Sequence, residues 1–74
     1  SIADQVDLGD SYTNIGDVYY HQKNYLLALG YYTQSLEFEK EKKDTLMLGV
    51  CHFDLGNTHK QLKNTGQALR YLFD

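Results

Sequence analysis

The sequence predicts an all-α protein in which antiparallel helix-turn-helix hairpins are stacked side by side. Apolar residues recur every three or four positions along nearly the whole chain, which is the spacing of one face of an α-helix. None of the 74 residues is proline, which interrupts helices. The sequence also repeats itself at an offset of 40 residues, and such a fixed period is typical of stacked helical units.

The internal repeat is carried by identical residues along the whole overlap. The first and last 34 residues share nine identities, whereas average residue usage gives about two. The matching pairs are Asp4/Asp44, Leu8/Leu48, Gly9/Gly49, Gly16/Gly56, Lys23/Lys63, Asn24/Asn64, Ala28/Ala68, Leu29/Leu69 and Tyr31/Tyr71. We therefore expect one domain over residues 1–74, with a first repeat at about 3–41 and a second, truncated repeat at about 44–74.

The first repeat predicts two helices, over residues 3–22 and 25–41. The apolar stripe of the first helix consists of Leu8, Tyr12, Ile15 and Tyr19. The stripe of the second consists of Tyr25, Ala28, Leu29, Tyr32 and Leu36. Lys23 and Asn24 lie between the two stripes, and Asn is a favourable N-cap because its side-chain oxygen accepts hydrogen bonds from exposed backbone N–H groups.

The second repeat predicts a third helix over residues 45–62 and a truncated fourth over 65–74. The third stripe consists of Leu48, His52, Leu55, His59 and Leu62, and the fourth of Ala68, Leu69 and Leu72. Asp44 or Thr45 would cap the third helix, and Lys63 and Asn64 would separate the last two. Connections this short predict antiparallel neighbouring helices.

Two glycines lie at equivalent positions inside the predicted helices. Glycine at such a position costs about 1 kcal/mol relative to alanine. Because Gly16 and Gly56 occur at the same register in both repeats, we expect a packing reason for them. A residue without a side chain lets the partner helix approach closely, and Ala28 and Ala68 would supply the small residues that face the glycines.

The composition of the chain limits which kinds of partner it is expected to bind. The net charge of −3 argues against a nucleic-acid partner, which needs a basic surface. No apolar run approaches the roughly 18 residues of a transmembrane helix, so we expect no membrane partner. A single cysteine allows no internal disulfide and is compatible with a reducing compartment such as the cytoplasm. Since the sequence does not begin with Met and ends inside a helical pattern, we expect a piece of a longer repeat array whose neighbouring repeats cover its bare faces.

The residues that carry reaction chemistry elsewhere predict neither a catalytic residue nor a cofactor or metal site here. His52 and His59 are seven positions apart, whereas a helical metal site favours a pair four apart. We expect both at the edge of the core, where their protonation at about pH 5 would lower the melting temperature. Cys51 is adjacent to His52, but neighbouring residues of a helix point apart, so they do not predict a nucleophile and its base.

The spacing of aromatic, glycine and alanine residues resembles the tetratricopeptide repeat. The first hairpin contains Tyr12-x2-Ile15-Gly16-x2-Tyr19 and then Ala28-x3-Tyr32. The second contains His52-x2-Leu55-Gly56-x2-His59 and then Ala68-x3-Leu72. The resemblance covers nearly the whole chain. It implies a right-handed α-solenoid that acts as a protein–protein interaction module or scaffold and is not an enzyme.

The sequence departs from this family's usual pattern in two ways. The period is 40 residues instead of 34, and Lys40 stands where the family normally has a proline. A longer period resembles the repeats of cargo adaptors such as kinesin light chain, of cell-polarity adaptors, and of arrays attached to bacterial sensor histidine kinases and regulators. A sensory or regulatory array in a signalling protein is therefore an alternative function, as are a helical appendage of an enzyme and a structural spacer.

The resemblance also implies a site. In this family the first helix of each hairpin lines a concave groove that holds a peptide or a partner helix. In the first repeat the matching residues are Asp10, Thr13, Asn14, Asp17, Tyr20 and His21. In the second repeat they are Val50, Phe53, Asp54, Asn57, Lys60 and Gln61. The alternative is that these residues are only the polar faces of amphipathic helices.

The charges in this groove favour one kind of partner. Chaperone-binding members of the family grip a C-terminal carboxylate with Lys, Arg and Asn, where this chain has Thr13, Asp17 and Asp54. Two acidic side chains repel a carboxylate, and the repulsion is only partly screened at short range. With Tyr20 and Phe53 beside them, they favour a basic or amphipathic segment. Neighbouring repeats and self-association are the other expected partners.

Overall fold

The computed structural model describes residues 8–66, which form three α-helices in succession. The helices are α1 (Leu8–His21), α2 (Tyr25–Lys42) and α3 (Thr45–Thr65). Residues 8–66 contain no β-strand, and the predicted all-α class is confirmed. Within this range, none of the helices combines the length and apolar character of a membrane span.

Residues 22–24 connect α1 to α2 through a left-handed turn. Lys23 has a φ of 63°, and its backbone N–H donates to the Tyr20 carbonyl oxygen over 2.9 Å. Asn24 occupies the N-cap position of α2, as predicted. Its side chain makes no capping hydrogen bond, so the predicted role of that amide is wrong. The backbone of Asn24, at φ −94° and ψ 78°, departs from the extended conformation in which a capping side chain reaches back.

The connection between α2 and α3 has the same form. Lys43 has a φ of 57°, and its backbone N–H donates to the Lys40 carbonyl oxygen over 3.2 Å. Asp44 caps α3, because its side-chain oxygen accepts a 3.2 Å hydrogen bond from the Met47 backbone N–H. The predicted cap at Asp44 is confirmed. Both turns thus place a lysine in the left-handed conformation directly before an Asn or Asp.

The predicted break at Lys63 and Asn64 is wrong. The helix continues through both residues to Thr65 and ends at Gly66, which has a φ of 78°. Glycine adopts this left-handed conformation without the steric cost that lysine bears, so the helix ends where the glycine allows it. Residues 3–7 of the predicted first helix and residues 67–74 of the predicted fourth helix lie outside the described residues.

The core lies on both sides of α2, which packs against α1 and against α3. Since both connections are only two or three residues long, neighbouring helices run antiparallel. From α2 the buried residues are Tyr25, Ala28, Tyr32, Ser35, Leu36 and Glu39. From α1 they are Gly9, Thr13 and Gly16, and from α3 they are Cys51, Thr58 and Leu62. The described part is therefore one helical hairpin followed by the first helix of the next.

Most of the predicted stripe of α2 is buried, whereas none of the α1 stripe is, and in α3 only Leu62 is. In α1 the buried residues follow the predicted stripe by one position, as Gly9 follows the exposed Leu8. In α3 the other two buried residues, Cys51 and Thr58, each precede a predicted stripe residue by one position.

His52 and His59 are exposed, so their predicted position at the edge of the core is wrong. The prediction that the melting temperature falls at about pH 5 assumed histidines at the core edge, so it no longer follows. Most of the residues that α1 and α3 bury are small or polar, such as Gly9, Thr13 and Thr58. A search for large apolar residues at helical spacing does not detect such a face.

Gly16 permits close packing between α1 and α2. A Cβ at this position would lie 2.7 Å from two ring carbons of Tyr32, closer than real Cβ contacts allow. The predicted close approach is thus confirmed at Gly16, although the ring of Tyr32 fills the space instead of Ala28. At Gly56 nothing lies within 4 Å of such a Cβ among the described residues, and the predicted partner Ala68 lies outside them.

A buried hydroxyl joins all three helices. The Ser35 hydroxyl donates to the Gly9 carbonyl oxygen over 2.9 Å, because a carbonyl can only accept. The Thr13 hydroxyl, 2.6 Å from the Ser35 oxygen, must then be the donor of that pair. The sulfur of Cys51 lies 3.4 Å from the same oxygen. Ser35 on α2 therefore contacts both α1 and α3. Because these contacts depend on direction, they oppose sliding of one helix along another.

Replacement of Gly16 by alanine is expected to destabilise the fold. Overpacking against the ring of Tyr32 costs about 1–3 kcal/mol, which offsets or exceeds the gain of about 1 kcal/mol in helix propensity. The matched control is Gly30→Ala in α2, where a Cβ meets nothing within 4 Å and a gain of about 0.5–1 kcal/mol is expected. Urea unfolding measures both. Equal stabilisation of the two variants would contradict the close packing at Gly16.

Replacement of Ser35 by alanine is expected to lower the free energy of unfolding by about 1–3 kcal/mol. The change removes the contacts to Gly9, Thr13 and Cys51 at a fully buried position. The control is Thr33→Ala, because the exposed Thr33 hydroxyl bonds only within α2, to the Leu29 carbonyl oxygen. The control is expected to stay within about 0.5 kcal/mol of the original protein. If both variants unfold at the same denaturant concentration, the Ser35 contacts do not hold the helices together.

Candidate partner-binding site

A cleft of about 170 Å³ lies between α1 and α3, and α2 forms its floor. Its lining residues are Asp17, Tyr20 and His21 from α1, Tyr32 from α2, and Asp54 and Asn57 from α3. Five of these six belong to the predicted groove, and Tyr32 is the sixth. The structure thus brings together predicted residues that are more than 30 positions apart in the sequence.

Aromatic contacts position the α1 side of the cleft. Tyr20 and His21 follow Asp17 by three and four residues, so helical spacing puts all three on one side of α1. The ring of Tyr20 packs edge-on against the ring of Tyr25, with centroids 5.2 Å apart. The imidazole of His21 is 6.1 Å from the Tyr20 ring and perpendicular to it. Tyr20 is therefore held at the cleft by α2 and by its own helix.

Tyr32 determines the position of the first carboxylate. Its hydroxyl donates to the Asp17 Oδ1 atom over 2.5 Å, while its ring is buried against Gly16. Burial raises the pKa of the Tyr32 hydroxyl well above its usual range, and the hydrogen bond to Asp17 adds to the rise. Tyr32 is therefore a neutral donor at physiological pH. It fixes the Asp17 carboxylate at the floor of the cleft.

Asp54 supplies the second carboxylate, from the opposite wall. Burial raises the pKa of Asp54 above its ordinary value of 3.8, and the negative charge of Asp17 raises it further. The two carboxylates therefore interact electrostatically across the cleft. Their mutual repulsion makes the cleft a favourable place for a positive charge and an unfavourable place for another anion.

The other predicted groove residues also lie on α1 and α3, and all but one of them are exposed or half-buried. Asp10, Asn14, Val50, Phe53 and Lys60 are exposed, and Gln61 is half-buried. Thr13 is buried between α1 and α2, where its hydroxyl bonds to Ser35. The prediction that Thr13 is presented in the groove is therefore wrong. Its buried partner Ser35 is 22 residues away, and only the packing of the helices brings the two together.

Two further residues lie outside the predicted groove, and Tyr32 is the one that lines the cleft. The apolar stripe of α2 predicts Tyr32 in the core, but a buried tyrosine also needs a partner for its hydroxyl, and Asp17 next to the predicted glycine contact is such a partner. Leu46 is highly exposed and precedes Val50 by four residues and Phe53 by seven. Helical spacing therefore puts Leu46 on the same side of α3 as Val50 and Phe53.

A second depression, of about 330 Å³, lies on the outer side of α2. Its lining residues are Tyr12, Thr33, Gln34, Glu37, Phe38 and Glu41, none of which belongs to the predicted groove. Glu37 there pairs with Lys40 over 3.4 Å, and both side chains are more than half exposed. An exposed pair of this kind contributes little to stability or to a binding site.

The residues considered for reaction chemistry are separated in space. The thiol of Cys51 is buried beside Ser35, whereas the imidazole of the adjacent His52 is exposed. A buried thiol of this kind is typical of a structural cysteine. Within residues 8–66, no three or more His, Cys, Asp or Glu side chains form a group that could hold a metal ion.

Comparison with known families agrees with this geometry. The model of the tetratricopeptide repeat family matches residues 7–72, which is nearly the whole chain. The chain belongs to the tetratricopeptide repeat family. The predicted family is thus confirmed. No curated protein and no solved structure matches the chain.

Tetratricopeptide repeats are non-enzymatic helical modules that generally mediate protein–protein interaction, and their domains generally bind protein partners. In this repeat protein, α1 and α2 form one hairpin, and α3 is the first helix of the next. The cleft therefore lies between the first helices of two consecutive tetratricopeptide repeats. The interpretation of the 40-residue period as a long-repeat type stays a prediction.

Replacement of Asp54 by asparagine is expected to raise the melting temperature at pH 7 by a few degrees. Because the pKa of Asp54 is raised on folding, its neutral form is favoured in the folded state, and ionisation at neutral pH destabilises the fold. The stabilising effect of the neutral form is present below the ordinary pKa and is lost as the pH rises through the folded pKa. The advantage of the variant should therefore shrink towards about pH 4.

Thermal unfolding followed by circular dichroism at the two pH values measures this advantage. The control is Glu41→Gln, which removes one negative charge from an exposed position on the outer side of α2. The control is expected to change the melting temperature little at either pH. An advantage of Asp54→Asn that is equal at both pH values would contradict the ionisation of Asp54 as its cause.

Proposed function

We propose that this tetratricopeptide repeat protein is an interaction module that binds a basic or amphipathic protein segment in the cleft between α1 and α3. The observation that carries the proposal is the pair of carboxylates, Asp17 and Asp54, on opposite walls of one cleft. The partner binds by docking, and no covalent bond is made or broken.

Electrostatics supports a basic partner. Burial is the main cause of the raised pKa of Asp54, and a lysine or arginine side chain between the two carboxylates would relieve the repulsion from Asp17 that adds to it. Arginine can also donate parallel hydrogen bonds to carboxylate oxygens, and such charge-assisted bonds are stronger than neutral ones. The ring of Tyr20 at the cleft offers a favourable contact with a cation. A segment that ends in a free carboxylate would instead be repelled by Asp17 and Asp54.

The size of the cleft supports the insertion of one side chain. Pockets for whole small ligands have volumes of about 300–1,000 Å³, whereas this cleft has about 170 Å³. Outside the cleft, Val50 and Phe53 are exposed on α3, the helix that carries Asp54. One basic side chain would enter the cleft, and the rest of the partner would lie on these exposed side chains.

The test is a titration of the 74-residue chain with two capped tripeptides, Gly-Arg-Gly and Gly-Glu-Gly, monitored by NMR of the ¹⁵N-labelled protein. The arginine peptide is expected to shift the amide signals of Asp17, Tyr20, Asp54 and Asn57. The glutamate peptide is expected to leave them in place. In Asp54→Asn the response to arginine should weaken by about tenfold, because half of the charge of the pair is gone.

Glu41→Gln is the matched control, since it removes an exposed charge away from the cleft. It is expected to bind the arginine peptide as the original protein does. Equal responses to arginine and glutamate, or an unchanged affinity in Asp54→Asn, would contradict the cleft as a site for a basic side chain. Tight binding of a peptide with a free C-terminal carboxylate at these residues would contradict it as well.

A further inference from the structure

We infer that Tyr32 makes the cleft selective for arginine over lysine, because its hydroxyl holds the Asp17 carboxylate in one orientation. This inference rests on the proposed function, since it specifies which basic side chain the same cleft accepts. It follows from three features of the cleft: a tyrosine hydroxyl that the core holds in place, a carboxylate whose direction that hydroxyl fixes, and a second carboxylate on the opposite wall.

The position of the Tyr32 hydroxyl is set by the core. Only 3% of Tyr32 is exposed, and its ring lies against α1 in the space that Gly16 leaves open. Of the cleft residues that the structure describes, Tyr32 is the one from α2. Because a closely packed ring keeps one rotamer, its hydroxyl stays in place and the carboxylate has to orient towards it.

The hydrogen bond fixes the direction of the Asp17 carboxylate. The Tyr32 hydroxyl donates to Oδ1 over 2.5 Å, and a hydrogen bond to a carboxylate is stronger than one between neutral groups. Burial raises the pKa of this hydroxyl well above its usual range, so the donor persists at physiological pH. Oδ2 is then the oxygen that remains for a cation, and its direction is fixed with the rest of the carboxylate.

Asp54 supplies an acceptor on the opposite side of the cleft. It lines the cleft from α3, whereas Asp17 lines it from α1. Burial is the main cause of the raised pKa of Asp54, and the charge of Asp17 adds to it, so the two carboxylates are close enough to interact. A cation that enters the cleft therefore has a carboxylate on each side of it and is stabilised by both.

Arginine and lysine differ in how they can use two carboxylates on opposite walls. A guanidinium group is planar and carries five N–H donors in a fixed geometry, so it can donate to two carboxylates at once. An ammonium group is a compact point charge, and it is more strongly hydrated than a guanidinium. The fixed direction of Oδ2 favours a rigid donor, whereas a point charge is attracted nearly equally by any orientation of the carboxylate.

The ring of Tyr20 favours the same side chain. Tyr20 lines the cleft, where it packs against Tyr25 with the two ring centroids 5.2 Å apart. A planar guanidinium stacks on aromatic rings, and arginine forms cation–π contacts more often than lysine does. Charge alone, by contrast, would attract both basic side chains equally. The relative affinity of the two therefore separates this inference from the proposed function.

The test compares capped Gly-Arg-Gly with capped Gly-Lys-Gly on the 74-residue chain, by NMR titration of the ¹⁵N-labelled protein. Each dissociation constant is taken from the amide signals of the lining residues Asp17, Tyr20, Asp54 and Asn57. The arginine peptide is expected to bind about fivefold more tightly than the lysine peptide. Because the ratio of the two constants is measured on one protein, a general loss of stability does not change it.

The variant Tyr32→Phe identifies the source of the preference. It keeps the ring against Gly16 and removes only the hydroxyl that holds Asp17. The carboxylate is then free to rotate, so the ratio is expected to fall from about fivefold to within about twofold. The matched control is Tyr31→Phe, the same change at the next position of α2, where the ring stacks on Tyr19 outside the cleft. The control is expected to keep the preference for arginine.

Three results would overturn the inference alone. Equal affinities for the two peptides in the original protein would show that the cleft detects charge only, whether or not Tyr32→Phe folds. A preference that survives in Tyr32→Phe, or one that is lost equally in Tyr31→Phe, would show that the Tyr32 hydroxyl is not its source. In each case the proposed function stands if the arginine tripeptide binds and the glutamate tripeptide does not. If neither basic peptide binds at the cleft, the proposed function fails and the inference fails with it.

Discussion

The contact between Tyr32 and the backbone of α1 is the feature on which both the fold and the candidate site depend. The ring occupies the space that Gly16 leaves open, and a Cβ there would lie 2.7 Å from two ring carbons, so the ring or α2 would have to shift. This close approach brings the Tyr32 hydroxyl to the carboxylate of Asp17. The carboxylate is thereby fixed opposite Asp54, whose pKa responds to its charge. Gly16 thus affects the charge distribution of the cleft indirectly, because it makes room for the tyrosine that holds Asp17 in place.

The rest of the core combines apolar side chains with buried polar ones. Thr13, Ser35, Glu39 and Thr58 are buried, and the hydroxyl of Ser35 reaches both neighbouring helices. The Glu39 carboxylate lies 3.8 Å from the Lys42 ammonium at the end of α2. Hydrogen bonds depend on direction, whereas apolar contacts tolerate sliding, so the contacts of Ser35 with Gly9, Thr13 and Cys51 restrict the helices to one register. The positions of the two walls of the groove follow from that register.

The sequence predicts the parts of this structure that depend on local patterns. The helical class, the buried stripe of α2 and the cap at Asp44 follow from spacing and from side-chain chemistry, and the family follows from the repeated motif. The predictions that are wrong concern contacts between residues distant in the sequence, or positions where two neighbouring residues could each end a helix. Thr13 is buried because Ser35 meets it across two helices, and α3 ends at Gly66 because glycine is better suited than lysine to the left-handed turn. The exposed Leu46 lies outside the predicted groove because the family groove, carried over residue by residue, does not extend to the first turn of α3.

The two lysine turns have a consequence for changes of length. Because Lys23 and Lys43 end their helices in the same backbone conformation, the number of residues between them sets the direction in which α3 leaves α2. An insertion or deletion of one residue in α2 would rotate everything after it by about 100° about the helix axis. Asp54 would then no longer lie opposite Asp17, although every side chain of the cleft would still be present. Homologues that keep the groove should therefore vary α2 in length by whole turns, while the exposed turns tolerate substitutions.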